Sequence, residues 1–316
     1  MDKTKNTDAI NNLNAEYKEK IFDFTGKRRI SFIIVAVVVV IGMVSFFVRG
    51  FNWDIDFVGG TILEYNLNKE VGVEDTDKIR GIVSDIIGAN NVSNVVTSGT
   101  QGVSIRTQQI DSFVREQITE ALSAEYININ DGDSSAKNVD ATVGRTLTRS
   151  TIIAVSLSLV LMLAYITVRF KFFSGLATVL CLTHDMFVAL TFYSLLQIPM
   201  NMAVIAAFLT ILAYSINATI IIFDRVRENM RLQKGGGRTF AEIINMSVTQ
   251  TLARSVNTTL STLFVLVCVY IIGVPSIQAF VLPIIVGILA GVFSSLFLAG
   301  TIWDLLDGLK NKKQAD

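Results

Sequence analysis

The sequence predicts a polytopic α-helical membrane protein with six transmembrane helices and one folded α+β domain outside the cytoplasm. Two observations lead to this class. Of the 316 residues, 51% are hydrophobic and 17% are charged, and the mean hydropathy is +0.52, a balance typical of membrane proteins. The apolar residues are also gathered into long runs, and one segment of mixed polarity, 49–148, separates the first run from the others.

The apolar runs are long enough to cross a bilayer, which takes about 20 residues of helix. The predicted spans are 30–48, 149–168, 173–196, 202–223, 254–273 and 278–302. The run 254–273 is apolar only in its second half, so its polar half must face protein rather than lipid. The first span follows Arg28 and Arg29 and has no small-residue cleavage site behind it, which favours an uncleaved signal-anchor.

Lysine and arginine are concentrated on one side of the predicted spans. They occur in the N-terminal arm 1–29, the loop 224–253 and the tail 303–316, whereas the turns 197–201 and 274–278 carry no charge. Because basic loops stay in the cytoplasm, both termini are predicted there. Within the loop, glycines at 235–237 precede an amphipathic stretch at 239–252, which predicts a flexible hinge and an interfacial helix.

The segment 49–148 alternates strand-like and helix-like patterns. Strands are predicted at 61–67, 92–97, 103–106 and 126–129, and helices at 74–88 and 110–124. This order is that of a ferredoxin-like fold. The segment contains no cysteine or histidine, so its core must be stable without disulfides, and we find no catalytic arrangement in it.

Two aspartates and two glycines follow the first span. Asp54 and Asp56 are two residues apart and would share one face of a strand. They could bind a metal ion or form a polar strand edge. Gly59 and Gly60 predict a tight backbone position with positive φ.

Two ionisable residues lie near the middle of the third span, where charge is unfavourable and function is the default hypothesis. Histidine is the residue type whose intrinsic pKa is nearest neutrality, so His184 could carry protons together with Asp185. The pair could instead form hydrogen bonds between helices. His184 is the only histidine, and Cys181 and Cys268 lie in separate apolar runs, so the sequence does not indicate a zinc site.

The fourth and fifth spans carry further polar groups. Thr210, Tyr214, Asn217 and Asp224 recur at helical spacing on one face of the fourth span. The Asn217 amide could bind a cation or join two helices. Arg254 begins the fifth span, where it could extend to the interface or act as a fixed positive charge beside an acid.

Several of these residues form motifs that follow one another along the chain. They are 53–61 with Asp56, Phe57, Gly59 and Gly60, the pair His184 and Asp185, the segment 214–229 with Asn217, Asp224 and Arg225, and the weaker 139–144. Over roughly residues 20–305, this ordered set resembles the SecF side of the SecD/SecF family within the RND-type transporter superfamily. Each motif alone is modest, but the set is specific.

One position departs from the family pattern. Family members commonly have an aspartate, implicated in proton coupling, directly after the asparagine that matches Asn217, and here Ala218 stands there. The family's intramembrane arginine is matched by Arg254. The resemblance therefore implies that coupling rests on a partner subunit, on His184 and Asp185, or is absent from this chain.

The resemblance also implies a function. It implies a non-enzymatic subunit in the bacterial cytoplasmic membrane that forms a heteromer with SecD and associates with the SecYEG translocon. With H⁺ or Na⁺ as coupling ion and no other cofactor, the complex would pull exported, unfolded polypeptides outward. Hinges are expected near Phe51 and Gly144. Formal net charge is +0, so charge does not suggest nucleic acid as a partner, and membrane lipids are the expected surroundings.

Two alternatives remain at this point. The chain could be a structural partner of SecD without its own ion coupling, which Ala218 favours. It could also be half of an RND-type exporter of small molecules or lipids. The length argues against the exporter, because such proteins usually carry two six-span halves and larger external domains in one chain.

Overall fold

A computed structural model describes residues 21–98, 100–126, 134–139, 141–170, 172–233, 237–273 and 275–313. Parts of several predictions lie outside these residues. They are most of the N-terminal arm, the end of the tail, the hinge positions 235–236, the strand positions 127–129 and Asp140 of the weaker motif.

The described elements alternate between long helices and one small sheet. The helices are α1 Arg28–Arg49, α2 Ile55–Val58, α3 Val73–Ile87, α4 Ser112–Glu125, α5 Ala141–Arg169, α6 Phe172–Leu196, α7 Ala203–Leu232, α8 Phe240–Ile272, α9 Pro275–Phe293 and α10 Gly300–Lys313. The strands are β1 Gly60–Asn66, β2 Val92–Ser98, β3 Gly102–Thr107 and β4 Ser134–Val139. A π-helical turn, Ser294–Ala299, joins α9 to α10.

Six helical stretches in the described residues are long and apolar enough to cross a membrane. They are Arg28–Arg49, Gly144–Arg169, Phe172–Leu196, Ala203–Leu232, Phe240–Ile272 and Ile277–Gly308. Each predicted span overlaps one of them. Large apolar side chains such as Ile33, Phe47 and Phe264 are exposed on their outer faces, where lipid rather than water can cover them. The chain is therefore a polytopic helical membrane protein.

The segment 224–253, predicted as a loop with an amphipathic helix at 239–252, contains more helix than predicted. α7 continues to Leu232, and residues 240–252 are the first turns of α8 rather than a separate interfacial helix. Thr239 caps α8 and forms a capping box with Glu242. The apolar face of these turns, including Ile244, packs against protein around Trp303. Burial against protein therefore replaces the predicted contact with the membrane surface.

α6 lies at the centre of the bundle. It packs against α1, α5, α7 and α9, and its buried residues are mostly small: Ser174, Gly175, Ala177, Thr178, Cys181, Ala189 and Ser194 are among them. Small side chains let helix backbones approach closely, which supplies the packing and hydrogen bonds that hold helices together in lipid. The third predicted span is thus enclosed by four neighbouring helices.

The last span is not one regular α-helix. Pro283 lies inside α9, and the helix widens into the π turn at Ser294 before α10 begins. Glycines bring α9 close to α7, because a Cβ on Gly287 would lie 2.4 Å from Ile211 Cδ1 and one on Gly291 would lie 3.0 Å from Ser215 Cβ. π turns of this kind are frequent at functional sites.

The segment between α1 and α5 folds around a four-stranded antiparallel sheet. The strand order is β2-β3-β1-β4, and Leu63 on β1 lies between Ile105 on β3 and Ala136 on β4. α3 and α4 bury their apolar faces with the sheet in one cluster: Leu63, Tyr65, Leu67, Val71, Ile79, Val83, Val92, Val95, Val103, Ile105, Ile118, Leu122 and Tyr126. No disulfide is formed among the described residues.

The fourth strand lies later in the chain than predicted. Tyr126, the only described residue of the predicted strand 126–129, is the C-terminal cap of α4, and the strand that pairs with β1 is Ser134–Val139. The described side chains of β4, such as Lys137, are exposed. Strand β4 is therefore an edge strand of mixed polarity, whose sequence lacks the apolar alternation on which the prediction depended.

Candidate functional site

A buried carboxylate connects three helical segments at the centre of the bundle. Asp185 on α6 is 0% exposed. Its Oδ2 accepts hydrogen bonds from Ser215 Oγ on α7 at 2.5 Å and from Ser294 Oγ on the π turn at 2.8 Å. Its Oδ1 lies 3.0 Å from His184 Nδ1. We call Asp185, His184, Ser215 and Ser294 the Asp185 cluster.

The backbone geometry explains how the two serines reach Asp185. Gly291 lies one turn before Ser294, and its missing side chain allows α7 to place Ser215 against α9. The π turn then begins at Ser294, and the extra residue that such a turn inserts shifts the direction of the following side chains. The packing of small residues and the local helix geometry thus converge on one carboxylate.

His184 has a different surrounding from its neighbour. Its side chain is 10% exposed, and its ring lies 6.3 Å from that of Phe293. His184 contacts Asp185, its neighbour in α6. The hydrogen bonds between helical segments are those that Asp185 accepts from Ser215 and Ser294. The predicted interhelical bonding is therefore formed by the aspartate rather than by the histidine.

The Asp185 cluster has the chemistry of a protonation switch. An ionised carboxylate accepts hydrogen bonds only, so it can accept from both serines and from a protonated His184 Nδ1. A protonated carboxyl has one O–H donor, so one of these partners can accept a hydrogen bond from it instead of donating one. Because the partners belong to α6, α7 and the π turn, protonation can bias the packing of these segments.

Asn217 and Arg254 are not members of this cluster. Both side chains are exposed on the outer surface of the bundle, Asn217 on α7 and Arg254 on α8. Ala218 follows Asn217 and is half-buried. Among the described residues, neither Asn217 nor Arg254 has a side-chain hydrogen bond or ion pair. The predicted roles of both residues, ligand or helix contact for Asn217 and interface anchor or fixed charge for Arg254, stay open.

Asp224 and Arg225 belong to a polar network near the end of α7. Asp224 Oδ1 accepts from Arg169 Nη2 at 3.0 Å, and Arg225 Nε donates to Gln250 Oε1 at 2.5 Å. Arg225 also pairs with Glu228. These contacts connect the ends of α5 and α7 to α8. At 1.5 Å per residue, this network lies about 30 Å along α7 from Met202, which precedes the other end of the helix.

Asp54 and Asp56 form a joint between the sheet and the membrane helices, and they do not lie on a strand as predicted. Asp54 caps the short helix α2, and its Oδ2 accepts from Arg106 Nη1 on β3 at 2.8 Å. Asp56 Oδ2 accepts from the backbone N–H of Met202, which directly precedes α7, at 3.0 Å. Burial raises the pKa of Asp54, and the Arg106 guanidinium opposes this shift.

A guanidinium, not a cation-binding cage, therefore faces the two carboxylates, since Asp56 Oδ1 also lies 3.5 Å from Arg106 Nη1. Among the described residues, no group of three or more histidine, cysteine, aspartate or glutamate side chains could hold a metal ion. The alternative of a metal site at Asp54 and Asp56 has no support in this geometry.

The glycine pair after Asp56 is required by the backbone. Gly59 has φ 81°, a conformation that favours glycine. Gly60 does not have positive φ, but a Cβ there would lie 2.2 Å from Thr107 O. Gly144 plays a similar part at the start of the second span, where a Cβ would lie 2.1 Å from Phe57 O. These glycines allow α2 to lie between β3 and α5.

Three residues of these sites were missed by the sequence analysis. Ser215 and Ser294 are polar residues in long apolar runs, which was a usable signal, but nothing in the sequence paired them with Asp185. Arg106 ends a predicted strand, and its contact with Asp54 spans 52 positions of the chain. Only the tertiary fold brings these residues together.

Comparison with known proteins gives consistent matches over nearly the whole chain. A family model described as "Protein export membrane protein SecD/SecF, C-terminal" matches residues 118–308, and a "SecD/SecF GG Motif" model matches residues 44–71, which include Gly59 and Gly60. Protein translocase subunit SecF of Acidaminococcus fermentans is 38% identical over 289 residues, which cover 90% of this chain and 97% of that protein.

Longer proteins match over part of their length. Protein translocase subunit SecDF of Bacillus subtilis is 34% identical over 297 residues, which cover 93% of this chain and 39% of that protein. The crystal structure of SecDF from Thermus thermophilus, a translocon-associated membrane protein, matches with a TM-score of 0.75 and 29% identity, over 92% of this chain and 39% of that one. The chain thus spans about two fifths of these SecDF proteins.

Proposed function

Because the chain belongs to the SecD/SecF family of protein-export membrane proteins, we propose that it acts as the SecF-like subunit of a complex with SecD. This complex assists Sec-dependent protein export across the bacterial cytoplasmic membrane with energy from the ion-motive force. The relatives are named protein translocase subunits, which favours protein export over the exporter of small molecules or lipids.

The buried Asp185 is the observation that carries the coupling part of the proposal. It is fully enclosed, and its hydrogen bonds join α6, α7 and the π turn. A carboxylate inside a membrane is energetically costly, so by default it indicates an ion pathway or a switch. H⁺ or Na⁺ is the proposed coupling ion, and neutralisation of Asp185 by either would weaken the hydrogen bonds that its charge strengthens.

The orientation follows from the basic segments. Arg28 and Arg29 flank one end of α1, and Arg225, Arg227 and Arg231 lie near the end of α7, so both termini are proposed to be cytoplasmic. The sheet then lies outside the cytoplasm. Its strand order and its two helices support a ferredoxin-like domain in that position.

The outer face of α7 and α8 supports a partner within the membrane. Tyr214, Asn217, Arg254 and Thr258 are all exposed there, within the spans. Polar side chains at this depth face protein or water rather than lipid. We assign SecD to this face, in keeping with relatives in which the matched segment is about two fifths of a SecDF chain. The SecYEG translocon and unfolded exported polypeptides are proposed as further partners from the family resemblance.

Movement could pass from Asp185 to the external domain through α7. Ser215 lies in α7, and Met202, just before that helix, donates to Asp56 at the joint. A shift of α7 on protonation would therefore act on α2 and on Arg106. The hinges proposed near Phe51 and Gly144 flank this joint, where Gly144 packs against Phe57.

A second candidate is a structural partner of SecD without ion coupling of its own. Ala218 favours it, because an alanine can neither carry a proton nor bind a cation. In that case Asp185 only holds the helices together through its serines, and coupling belongs to the partner.

Export of a secreted reporter into inverted vesicles under an imposed ion gradient separates these candidates. If Asp185→Asn abolishes the gradient-dependent stimulation while the variant still co-purifies with SecD, this chain contributes to coupling. If Asp185→Asn is neutral and Ala218→Asp changes the ion dependence, the structural candidate is favoured. Asp77→Asn, an exposed carboxylate on α3, is the matched control and should leave export unchanged.

A further inference from the structure

A small cavity lies between α7, α8 and α9, next to the Asp185 cluster. Its volume is about 20 Å³, and Ser215, Ala218, Ser255, Thr258 and Gly291 are among the residues that line it. This volume is enough for one water molecule, which also needs two to four polar partners.

Ser255 supplies the first polar partner. The residue is 4% exposed, and its Oγ has no hydrogen-bond partner in the described part of the chain. A buried hydroxyl left without a partner destabilises a fold. The neighbouring Thr259 hydroxyl bonds to the Ser255 carbonyl and does not relieve the hydroxyl. The Ser255 side chain thus has an unmet hydrogen bond at the wall of a cavity that fits water.

Ser215 supplies the second partner and the link to Asp185. Its hydroxyl proton is directed to Asp185 Oδ2 at 2.5 Å. A hydroxyl oxygen has two lone pairs and can accept while it donates, so the same Ser215 oxygen can receive a hydrogen bond from a molecule in the cavity.

The cavity is close to the outer face of α7 and α8. Tyr214, Asn217 and Thr258 line it and are exposed. Ala218 also lines the cavity between this face and Ser215, and its side chain is only a methyl group. The polar groups on the face therefore continue inward, through the cavity, to the buried carboxylate.

We propose that this cavity binds one water molecule, which bridges Ser255 and Ser215 and gives Asp185 its access to protons from the face of α7 and α8. This inference rests on the proposed function, in which Asp185 is the coupling group. It adds the route by which the proton arrives, and it assigns Ser215 and Ser255 as positioning residues for that route.

The proton transfer balances along this route. The Ser215 O–H bond breaks as its proton moves to Asp185 Oδ2, and a new O–H bond forms on Ser215 with a proton from the bound water. The water recovers a proton from the outer face. One proton is transferred, Asp185 becomes neutral, and both the hydroxyl and the water are regenerated.

Thiol accessibility tests the water site without an export assay. Ser255→Cys is made in the full chain, in native membrane vesicles, with Cys181 and Cys268 replaced by alanine. Ag⁺ is the probe, since it is small and reacts with thiols that water reaches, and the thiols left are counted with N-ethylmaleimide after denaturation. Ser295→Cys is the matched control, because Ser295 is 0% exposed and does not line the cavity.

We expect Ser255→Cys to react at least tenfold faster than Ser295→Cys. Gly291→Ala should slow the reaction of Ser255→Cys severalfold, because the added Cβ would lie 3.0 Å from Ser215 Cβ and narrow the cavity. Equal rates for the two cysteines would overturn the proposal.

The export assay separates failure of this inference from failure of the proposed function. The inference is supported if Ser255→Ala lowers the gradient-dependent stimulation of export severalfold, and if the stimulation that remains in this variant falls further in D₂O. If Asp185→Asn abolishes stimulation but Ser255→Cys is unreactive and Ser255→Ala is neutral, the route is wrong and the coupling role stands. If Ser255→Cys reacts quickly but Asp185→Asn is neutral, the cavity holds water, and both the route and the coupling role are overturned.

Discussion

Arg106 on β3 donates through Nη1 to Asp54 Oδ2 at 2.8 Å, which ties the sheet to the chain that follows α1. Asp54 is 0% exposed, so removal of Arg106 would leave a buried carboxylate without its charged partner. We expect Arg106→Ala to destabilise the full chain by about 3 kcal/mol, measured as loss of thermal stability in detergent. Arg80→Ala, an exposed arginine on α3, should cause no measurable loss, and equal losses for the two variants would contradict this role of Arg106.

Gly60 is expected to tolerate no side chain. A Cβ there would lie 2.2 Å from the backbone oxygen of Thr107, so Gly60→Ala must displace β1 from β3 and should lower stability by more than about 2 kcal/mol. Gly81→Ala is the control, because nothing lies within 4 Å of its added Cβ inside α3, where alanine is favoured by about 1 kcal/mol. Hydrogen exchange of the β1 and α3 amides in the full chain distinguishes the two effects. If the β1 amides of Gly60→Ala remain as protected against hydrogen exchange as in the wild type, β1 can shift without loss of stability, which would contradict this prediction.

The hydrogen bonds of Asp75 predict how the stability of the first turn of α3 changes with pH. Its side chain accepts from Lys69 Nζ at 2.7 Å and from Gly72 N at 3.1 Å, and these bonds lower the pKa of Asp75. The pKa of Asp75 is therefore lower in the folded chain than in the unfolded chain. The stabilisation is fully present at pH values above the unfolded-state pKa, and it is lost as the pH falls through the folded-state pKa. Asp75→Asn should therefore cost about 1 kcal/mol at neutral pH and almost nothing in strong acid.

The measurement is protection of the α3 amides against hydrogen exchange, corrected for the intrinsic rate at each pH. Glu74→Gln, an exposed carboxylate in the same turn, is the control and should change protection little at either pH. A loss in Asp75→Asn that stays constant down to strong acid would mean that the carboxylate charge is not the cause.

The sequence predicted the apolar spans well, because a run of about 20 apolar residues has few other uses. Asp185 was found by the same logic, as an acid inside such a run. Its partners Ser215 and Ser294 were not, since their contacts depend on how α7 and α9 pack. The start of α8 was predicted as a helix but placed at the membrane surface, because an amphipathic pattern does not distinguish burial against Trp303 from contact with lipid. β4 was misplaced because an exposed edge strand has no apolar alternation.

A short segment before α1 is held against α8. The backbone N–H groups of Phe24 and Thr25 donate to Asn245 Oδ1 at 3.1 and 3.0 Å, and Asn245 Nδ2 donates to Asp23 Oδ1 at 2.9 Å. The Phe24 ring packs at 5.3 Å from that of Phe297 in the π turn. One amide thus satisfies two buried N–H groups and fixes where α1 enters the bundle.

Loss of the Asn245 amide should release this segment without unfolding the bundle. Asn245→Ala removes two hydrogen bonds from buried N–H groups, worth together about 2 kcal/mol, so we expect the amides of Phe24 and Thr25 to exchange about thirtyfold faster with solvent. Asn245→Asp keeps an acceptor but places a second charge beside Asp23, so its exchange rates should lie between those of the wild type and Asn245→Ala. Asn257→Ala, an exposed asparagine on the same helix, should leave both rates unchanged. If Asn245→Ala also leaves them unchanged, the Phe24 ring rather than the amide holds the segment, and Phe24→Ala should then release it.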